Sequence, residues 1–399
     1  MVSKFKKKVE KVVEGGLFLS STITSLTVIF IIIFLFKEGL GLFNSKPTEP
    51  HYILAVNANN PVGALNSKQL KDIFNGDITN WKEVGGNDEE ISLLTIDDVA
   101  NYYTEEELGA DFENLPSKLD ELIASKPEVL ASFSDRYIPK DFHGKLVPVS
   151  KISISEFVLG REWYPTSQPV AQYGVLPIIL GTLWVSLGAI LLALPIGLIT
   201  AIYLSEVAGE RLRRILKPII ELLAGIPSVV YGFFGLVVIV PLIQQTFNLP
   251  VGETALAGSI VLAIMALPTI ITISEDALRT TPQALKEASL ALGATRLQTL
   301  VRVIIPYAKS GITAASILGI GRAVGETMAV LMVTGNASVI PNSMLQPVRT
   351  IPATIAAELG EAPFGGAHFK ALFALGIILF IITFGFNFIV DLMKAKRKA

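Results

Sequence analysis

EASLALGATRLQTLVRVIIPYAKSGITAASILGIGRAVG, residues 287–325, sets two opposed chemistries on one continuous piece of chain. Its first half fixes Glu287, Ala288 and Gly293, then nine residues, then Val303-Ile304-Ile305-Pro306. Thr281-Pro282 supplies an N-cap followed by proline at the first helical position, for a helix over Gln283 to Leu292. Gly293 lets the chain reverse, and a second helix is expected from about Thr295 to Pro306. Such a helix–glycine–helix element beneath an apolar bundle is a rigid handle for a partner to push; the plainer alternative is an ordinary amphipathic loop helix. The second half continues into a segment, about 311–333, apolar enough for lipid apart from Arg322 and Glu326.

Four residues apart, Arg322 and Glu326 are expected to share one helix face and can pair. A charge at the membrane centre costs about 2.5–3.5 kcal/mol on insertion scales, so such residues usually face a bundle interior or a solvated path. Two readings stay open. Arg322 is a cationic stop for an anionic solute, with Glu326 holding and partly neutralising it, or the two form a buried pair that joins helices and touches no solute. Thr327 and Asn336 are candidates for polar lining, or for helix-to-helix hydrogen bonding.

Outward from this stretch, the composition is that of a membrane protein. Of 399 residues, 51% are hydrophobic and 17% charged, where soluble domains carry about a quarter charged; the mean hydropathy is +0.55. Leu17–Phe36, Trp163–Ser205, Leu222–Gly252, Thr254–Ser274 and Ala371–Val390 contain no Asp, Glu, Lys or Arg. Each can supply the ~20 apolar residues that cross a bilayer core, and Gly311–Val333 makes six spans. The basic KFKKK start would also suit a signal peptide, but the apolar run is longer than a signal core and no small-x-small site follows, so a retained helix is expected. With no cysteine in the chain, redox compartment is not readable.

Eighteen Lys and Arg fall on one side of this topology. They are Lys4, Lys6, Lys7, Lys8 and Lys11; Arg211, Arg213, Arg214 and Lys217; Arg279, Lys286, Arg296, Arg302 and Lys309; Lys394, Lys396, Arg397 and Lys398. The opposite short loops, about 245–253 and 337–370, hold Arg349 and Lys370. The positive-inside bias makes both termini cytoplasmic and residues 45–173 extracytoplasmic. That long external stretch holds 21 of the 35 acidic residues against 11 basic ones, while the whole chain carries a net charge of −2. Three parts are expected: 1–44, a cytoplasmic tail and first transmembrane helix; 45–165, a polar insert; and 166–399, a five-helix core whose cytoplasmic coupling loop is 281–306. In the insert, Tyr52–Val56 reads as a buried strand. Ser67 reads as the cap of a helix with apolar face Leu70, Ile73 and Phe74, ended by Gly76. A helix about Pro116–Ser125 and a strand at Lys145–Val149 complete an α/β pattern. In the core, the small residues of Gly311–Ser316 and Gly319–Gly321 allow close helix approach.

The 281–306 pattern resembles the EAA loop of importers of the ATP-binding-cassette (ABC) class, with Ser289, Val303 and Ile305 in place of the commonest residues. GIGRAVGETMAVLMVTGNA and LGREWYPTSQPVAQYGVLPIILGTLWVSLGAILLALPIGLITAIYLSEVA resemble the permeases of phosphate ABC importers over about residues 156–392, PstC-like more than PstA-like. The resemblance implies an α-helical membrane protein with six transmembrane helices in an ABC-importer permease bundle. It implies a translocation path at Arg322, Glu326, Thr327 and Asn336, and an ATPase-docking loop carrying Glu287, Ala288, Gly293 and Pro306. Implied partners are a PstA-like second permease, a PstB-like ATP-binding dimer that uses ATP and Mg, and a PstS-like extracytoplasmic phosphate-binding protein, in a prokaryotic cytoplasmic membrane. Within the insert, Ile53–Ile91 resembles part of that binding protein. The family's phosphate-holding Arg and Ser-Gly-Thr are replaced by SLLTIDDVANYYTEEELGAD, so a degenerate lobe kept for docking and a surface ornament acquired by fusion are both open.

Other chemistries lack their motifs. There is no G-x-x-x-x-G-K-[ST], so no P-loop binds ATP. Gly319, Gly321 and Gly325 have the wrong spacing for a dinucleotide loop. His51, His143 and His368 are far apart, and neither a metal site nor catalytic residues are expected. The expectation is a non-enzymatic transport subunit that moves inorganic phosphate by alternating access, without nucleic acid. Sulfate or molybdate as cargo, and a non-conducting phosphate sensor or docking receptor, stay open.

Overall fold

The computed structural model describes residues 4–48, 51–109, 111–167 and 170–395. The basic residues expected at Lys396, Arg397 and Lys398, and Gln168-Pro169 of the EWYPTSQP motif, lie outside these. Contacts divide the chain into two compact units, one of Met1–Gly39, Leu176–Phe364 and Ala371–Ala399, the other of Leu40–Val175 and Gly365–Lys370.

The first unit opens with helix α1 (Lys4–Leu40). The second unit contributes β1 (Tyr52–Val56), α2 (Ser67–Phe74), β2 (Ser92–Leu94), α3 (Leu115–Ser125), β3 (Val129–Ser134) and β4 (Lys145–Leu146). Their sheet has the order β2-β3-β1-β4, with β1 antiparallel to β3 and β4 and β2 parallel to β3. β-Type residues make β1 a strand, as its sequence implied, and Leu54, Ala55 and Val56 are all buried. The alternating faces of the strand send Leu54 and Val56 into a cluster with Leu70, Ile73 and Trp81, and Ala55 into another. Trp81 is fully buried and its indole nitrogen donates to the Glu128 carbonyl at 3.0 Å. The cap of α2 is Asn66, not Ser67. The Asn66 side chain accepts from Gln69 N at 2.8 Å while Asn66 N donates to Gln69 Oε1 at 3.0 Å, a reciprocal capping box.

The uncharged run from Trp163 does not begin a span. Trp163–Tyr164 (β5) pairs with Gln172–Tyr173 (β6), burying Trp163, and the spanning helix starts only at Leu176. Absence of charge marks buried strand and lipid-facing helix alike, and the span expected after residue 173 begins close by, at Leu176.

The remaining helices of the first unit are α4 (Leu176–Val207), α5 (Glu210–Ala224), α6 (Ser228–Phe247), α7 (Ala255–Arg279), α8 (Gln283–Ala291), α9 (Arg296–Val324), α10 (Met328–Val333), α11 (Ile351–Glu358) and α12 (Ala367–Ala395). Among the described residues six helices are long and apolar enough to cross a membrane: α1, α4, α6, α7, α9 and α12. The most enclosed is α7, which packs on α4 and α9 through small residues. A β-carbon at Gly311 would stand 2.3 Å from that of Ala277, and one at Gly319 2.8 Å from the Ile270 side chain. Ser259 donates to the carbonyls of Val185 and Ala255 at 3.1 and 2.8 Å, closing the α4–α7 seam. Gly39 of α1 is similarly pressed on α12, where a β-carbon would meet Ala374 N at 2.9 Å.

Three π-turns interrupt these helices, at Tyr203–Val207, Gly235–Ile239 and Leu300–Ile304. Pro241 and Pro306 each stand two residues beyond one. A proline ring inside an α-helix collides with the carbonyl four residues back and offers no N–H; the wider turn relieves that register. Pro306 therefore does not end a helix, as its type suggested, and α9 runs through it to Val324. The expected span at 311–333 is displaced accordingly. The continuous helix is Arg296–Val324, and Met328–Val333 is a separate short helix after a break at Gly325–Thr327.

Candidate functional site

Arg322 lies in the last turn of α9, half-buried, with Nη1 3.4 Å from the Thr269 hydroxyl on α7. The helix closes behind it, as Gly325 N donates to Gly321 O at 3.2 Å. Thr327 then takes φ −114° and ψ −63°, and its hydroxyl donates to Gly325 O at 3.3 Å. Glu326 falls inside this break. Its carboxylate turns to the first turn of α10, where Ala329 N approaches Oε1 at 3.5 Å, a position that suits an anion at a helix start.

The expected pairing of Arg322 with Glu326 is therefore not formed. An i,i+4 pair needs an unbroken helix between its members, and the chain leaves the helix at Gly325. Among the described residues no carboxylate forms an ion pair with Arg322. A guanidinium in an apolar span without a counter-charge is costlier than the paired arrangement that both readings from sequence assumed. Non-helical backbone at such a position is tolerated where protein or water covers it. Asn336 adopts φ +49° directly after Gly335 at φ +78°. Its Nδ2 donates to Leu331 O at 2.7 Å, capping α10, while its Oδ1 is buried without a partner.

The loop 281–306 forms the expected reversal, with a difference at its start. Pro282 (φ −56°, ψ 134°) takes the N-cap position of α8, which leaves Thr281 one residue outside the helix, buried, with its hydroxyl unpartnered. Gly293 has φ +83° with open space around it, a conformation that L side chains resist. Thr295 then caps α9 in a reciprocal box with Gln298 at 3.2 and 2.9 Å. Glu287, Ala288, Gly293 and Pro306 are all exposed. So are Leu285, Leu290 and, at 90%, Leu292, an apolar patch without cover on this chain.

Between these leucines, α8 is held to its neighbours by Lys286 and Ser289. Lys286 Nζ meets Glu206 Oε1 of α4 at 2.7 Å, and Ser289 Oγ meets Thr299 Oγ1 of α9 at 2.9 Å. Nearby, Glu275 of α7 is 1% exposed and sits among Arg213 Nε at 3.5 Å, Lys217 Nζ at 3.0 Å and Arg279 Nη1 at 3.6 Å. Burial draws the Lys217 ammonium down, but its bonds and charges to Glu275 and Asp276 outweigh this and hold it above the ordinary 10.5. These tie the amphipathic α5 to α7, while Leu216 and Ile220 pack on the cluster of Leu204, Leu278 and Ile304. Sequence reasoning missed Glu206 and Glu275. The available signal was position, since each lies directly after an uncharged run that ends at Ser205 or Ser274.

Residues 193–398 match the family described as binding-protein-dependent transport system inner membrane component, and residues 50–120 match the PBP superfamily domain. The chain is 42% identical over 251 residues to the probable ABC transporter permease protein YqgH of Bacillus subtilis, covering 63% of this chain and 81% of that protein. It is 40% identical over 262 residues to the phosphate transport system permease protein PstC of Mesorhizobium japonicum, covering 61% and 79%. Among solved structures it is similar to an inward-facing MetNI methionine ABC transporter, with 21% identity, a TM-score of 0.44, and 55% and 94% of the two chains covered. The matched segment contains α8, the glycine reversal, Arg322 and the break behind it. The chain belongs to the family of binding-protein-dependent transport system inner membrane components, as a multi-pass permease carrying a PBP-type insert.

Proposed function

We propose that this chain is the PstC-type subunit of an ATP-driven importer of inorganic phosphate, working by alternating access. Several relatives carry the name of phosphate permease at 35–40% identity. The observation that carries the reading is the half-buried Arg322 at the broken end of α9, which among the described residues has no carboxylate ion pair. A fixed cation at such a place favours an oxyanion that brings the missing charge. Glu326, turned toward α10, leaves that charge available rather than neutralising it. Thr327 and Asn336 are the weaker lining candidates, since Asn336 already spends its amide on a helix cap.

ATP and its Mg are used by a separate PstB-like dimer that grips the exposed face of α8 around Glu287 and Leu292. A PstA-like permease completes the pathway and a PstS-like protein delivers the solute. Both termini are cytoplasmic in this arrangement, and the insert faces outside. The insert serves as a docking platform and not as a second phosphate site. Where the binding-protein family places its phosphate donors, Thr95 here gives its N–H at 2.8 Å and its hydroxyl at 2.7 Å to the carboxylate of Asp98. These donors are already taken by the Asp98 carboxylate, whose charge would repel a dianion.

The test is uptake of radiolabelled phosphate by cells carrying the whole complex, wild type against Arg322→Ala. Loss of uptake, with the complex assembled in normal amount and unaffected by excess sulfate in wild type, is the expected result. Full uptake by the Ala variant would remove Arg322 from the path.

A further inference from the structure

The cytoplasmic end of α4 is wound as the π-turn Tyr203–Val207, closed by Ala208 N donating to Tyr203 O at 2.7 Å. Such a turn inserts one residue into the helix and re-aims the side chains it carries. Here it carries Ser205 and Glu206. Ser205 Oγ donates to Glu206 Oε1 at 2.9 Å, and the same oxygen receives Lys286 Nζ at 2.7 Å. Glu206 and Lys286 are only 16% and 17% exposed. They differ in this from the open pair Arg214–Glu210, at 79% and 81%. Water-shielded pairs resist separation, because either partner alone is left as a buried charge.

The position of Lys286 gives the pair its meaning. It directly precedes Glu287, on a helix that also exposes Leu285, Leu290 and nearby Leu292. Chain connectivity joins α8 to α7 through Thr281-Pro282 and to α9 through Gly293, where φ +83° and open surroundings form a pliant joint. Ser289–Thr299 adds a second link to α9. Among the described residues, Lys286–Glu206 is the one ion pair or side-chain hydrogen bond between α8 and α4.

We propose that Lys286 and Glu206 are coupling residues, a shielded tie through which displacement of α8 moves α4. The inference rests on the reading of α8 as the ATPase-docking helix. Neither residue touches solute or nucleotide; both act by holding one helix to another. Without the tie, α8 would still be gripped and ATP still hydrolysed, but its motion would be spent at the Gly293 joint.

The complete complex reconstituted in vesicles tests this through ATP hydrolysis and phosphate uptake measured in parallel. Lys286→Met and Glu206→Gln are expected to keep hydrolysis while phosphate moved per ATP falls about tenfold, a normal size for a coupling energy. The exchange Lys286→Glu with Glu206→Lys should restore most of that ratio. An unchanged ratio in both single variants overturns the proposal, as does equal loss of both activities without rescue by the exchange. Failure of the wild-type complex to move phosphate would instead sink the functional reading. The tie has its own readout in that case, from spin labels at Leu290 and Ile199 in the purified complex. Their distance distribution should be narrow in wild type, broaden in Lys286→Met and narrow again in the exchange; a distribution that does not broaden overturns the tie.

Discussion

Replacing Glu275 by Gln tests whether the buried carboxylate fastens α5 to α7. The side chain is 1% exposed and faces three cations at 3.0 to 3.6 Å, so removing its charge leaves Arg213, Lys217 and Arg279 crowded without a shared anion. At an effective dielectric of about 20, one unit pair at about 4 Å is worth about 4 kcal/mol. Three such attractions exceed the repulsion among the cations, but burying the carboxylate itself costs several kcal/mol. Breaking a buried ion pair from one side typically destabilises by about 3–5 kcal/mol. The three cations here are 27%, 28% and 45% exposed and can turn partly into water. The low end, about 3 kcal/mol, is therefore the expectation for Glu275→Gln.

Denaturant unfolding in mild detergent, followed by a label on α5, measures this. Lys217→Met added to Glu275→Gln should recover about 1 kcal/mol, because the residual repulsion falls as the first loss is already taken. Lys217 also contributes to the dependence of stability on alkaline pH. Its folded pKa is raised, so its share of stability is complete below the unfolded value near 10.5 and disappears as pH rises through the higher folded value. A Glu275→Gln loss below about 0.5 kcal/mol would refute the reasoning, since surface substitutions reach that much without any buried pair.

Two other outcomes follow from packing and titration. Gly311→Ala should cost about 1–3 kcal/mol by overpacking, because the new methyl would lie 2.3 Å from Ala277; Ala277→Gly in the same chain should return most of it in the same unfolding assay. In the insert, His143 Nδ1 lies 2.7 Å from Asp120 Oδ2, and the hydrogen bond and then the charge of Asp120 raise the His143 pKa above 6.5. Its contribution is complete below the unfolded value and vanishes as pH climbs through the raised one. An NMR titration of the ring giving a value at or below 6.5 would contradict the contact.

The readable parts of this chain are those whose pattern is local. Strand Tyr52–Val56, the helix ending at Ser125 and the number of spans follow from side-chain periodicity and charge-free length, which need no tertiary information. Illegible parts depend on where a regular element stops. Absence of charge in the run from Trp163 does not by itself reveal the buried hairpin that precedes the helix. Pro306 ends a helix by its own chemistry, and the π-turn that spares it is closed by backbone geometry without a residue signature. Gly325 stands in a segment that also holds Gly319 and Gly321, through both of which α9 continues, so the helix end between Arg322 and Glu326 could not be placed. That one misplaced boundary reversed the electrostatics of the candidate site from a neutralised pair to a separate cation and anion.

The distribution of charge in the core has a common logic once that boundary is fixed. Where α4 and α7 reach the side that carries α5 and α8, each poorly exposed carboxylate faces cations, although Glu275 Oε1 has no hydrogen-bond partner. Glu206 is taken by Lys286 and Ser205, and Glu275 by three cations. Charges committed in this way resist separation and suit connections that must carry displacement. Arg322 is handled in the opposite manner. It has one long contact to Thr269, and the nearest carboxylate in sequence is drawn off by a helix break to serve α10. A cation left without a counter-charge raises the energy of the empty protein and lowers that of the complex with an anion by the same interaction. Adding a carboxylate within reach, as Thr269→Glu would, should therefore stabilise the empty permease in the unfolding assay while weakening transport. An acidic side chain there that left uptake intact would separate Arg322's charge from the solute altogether.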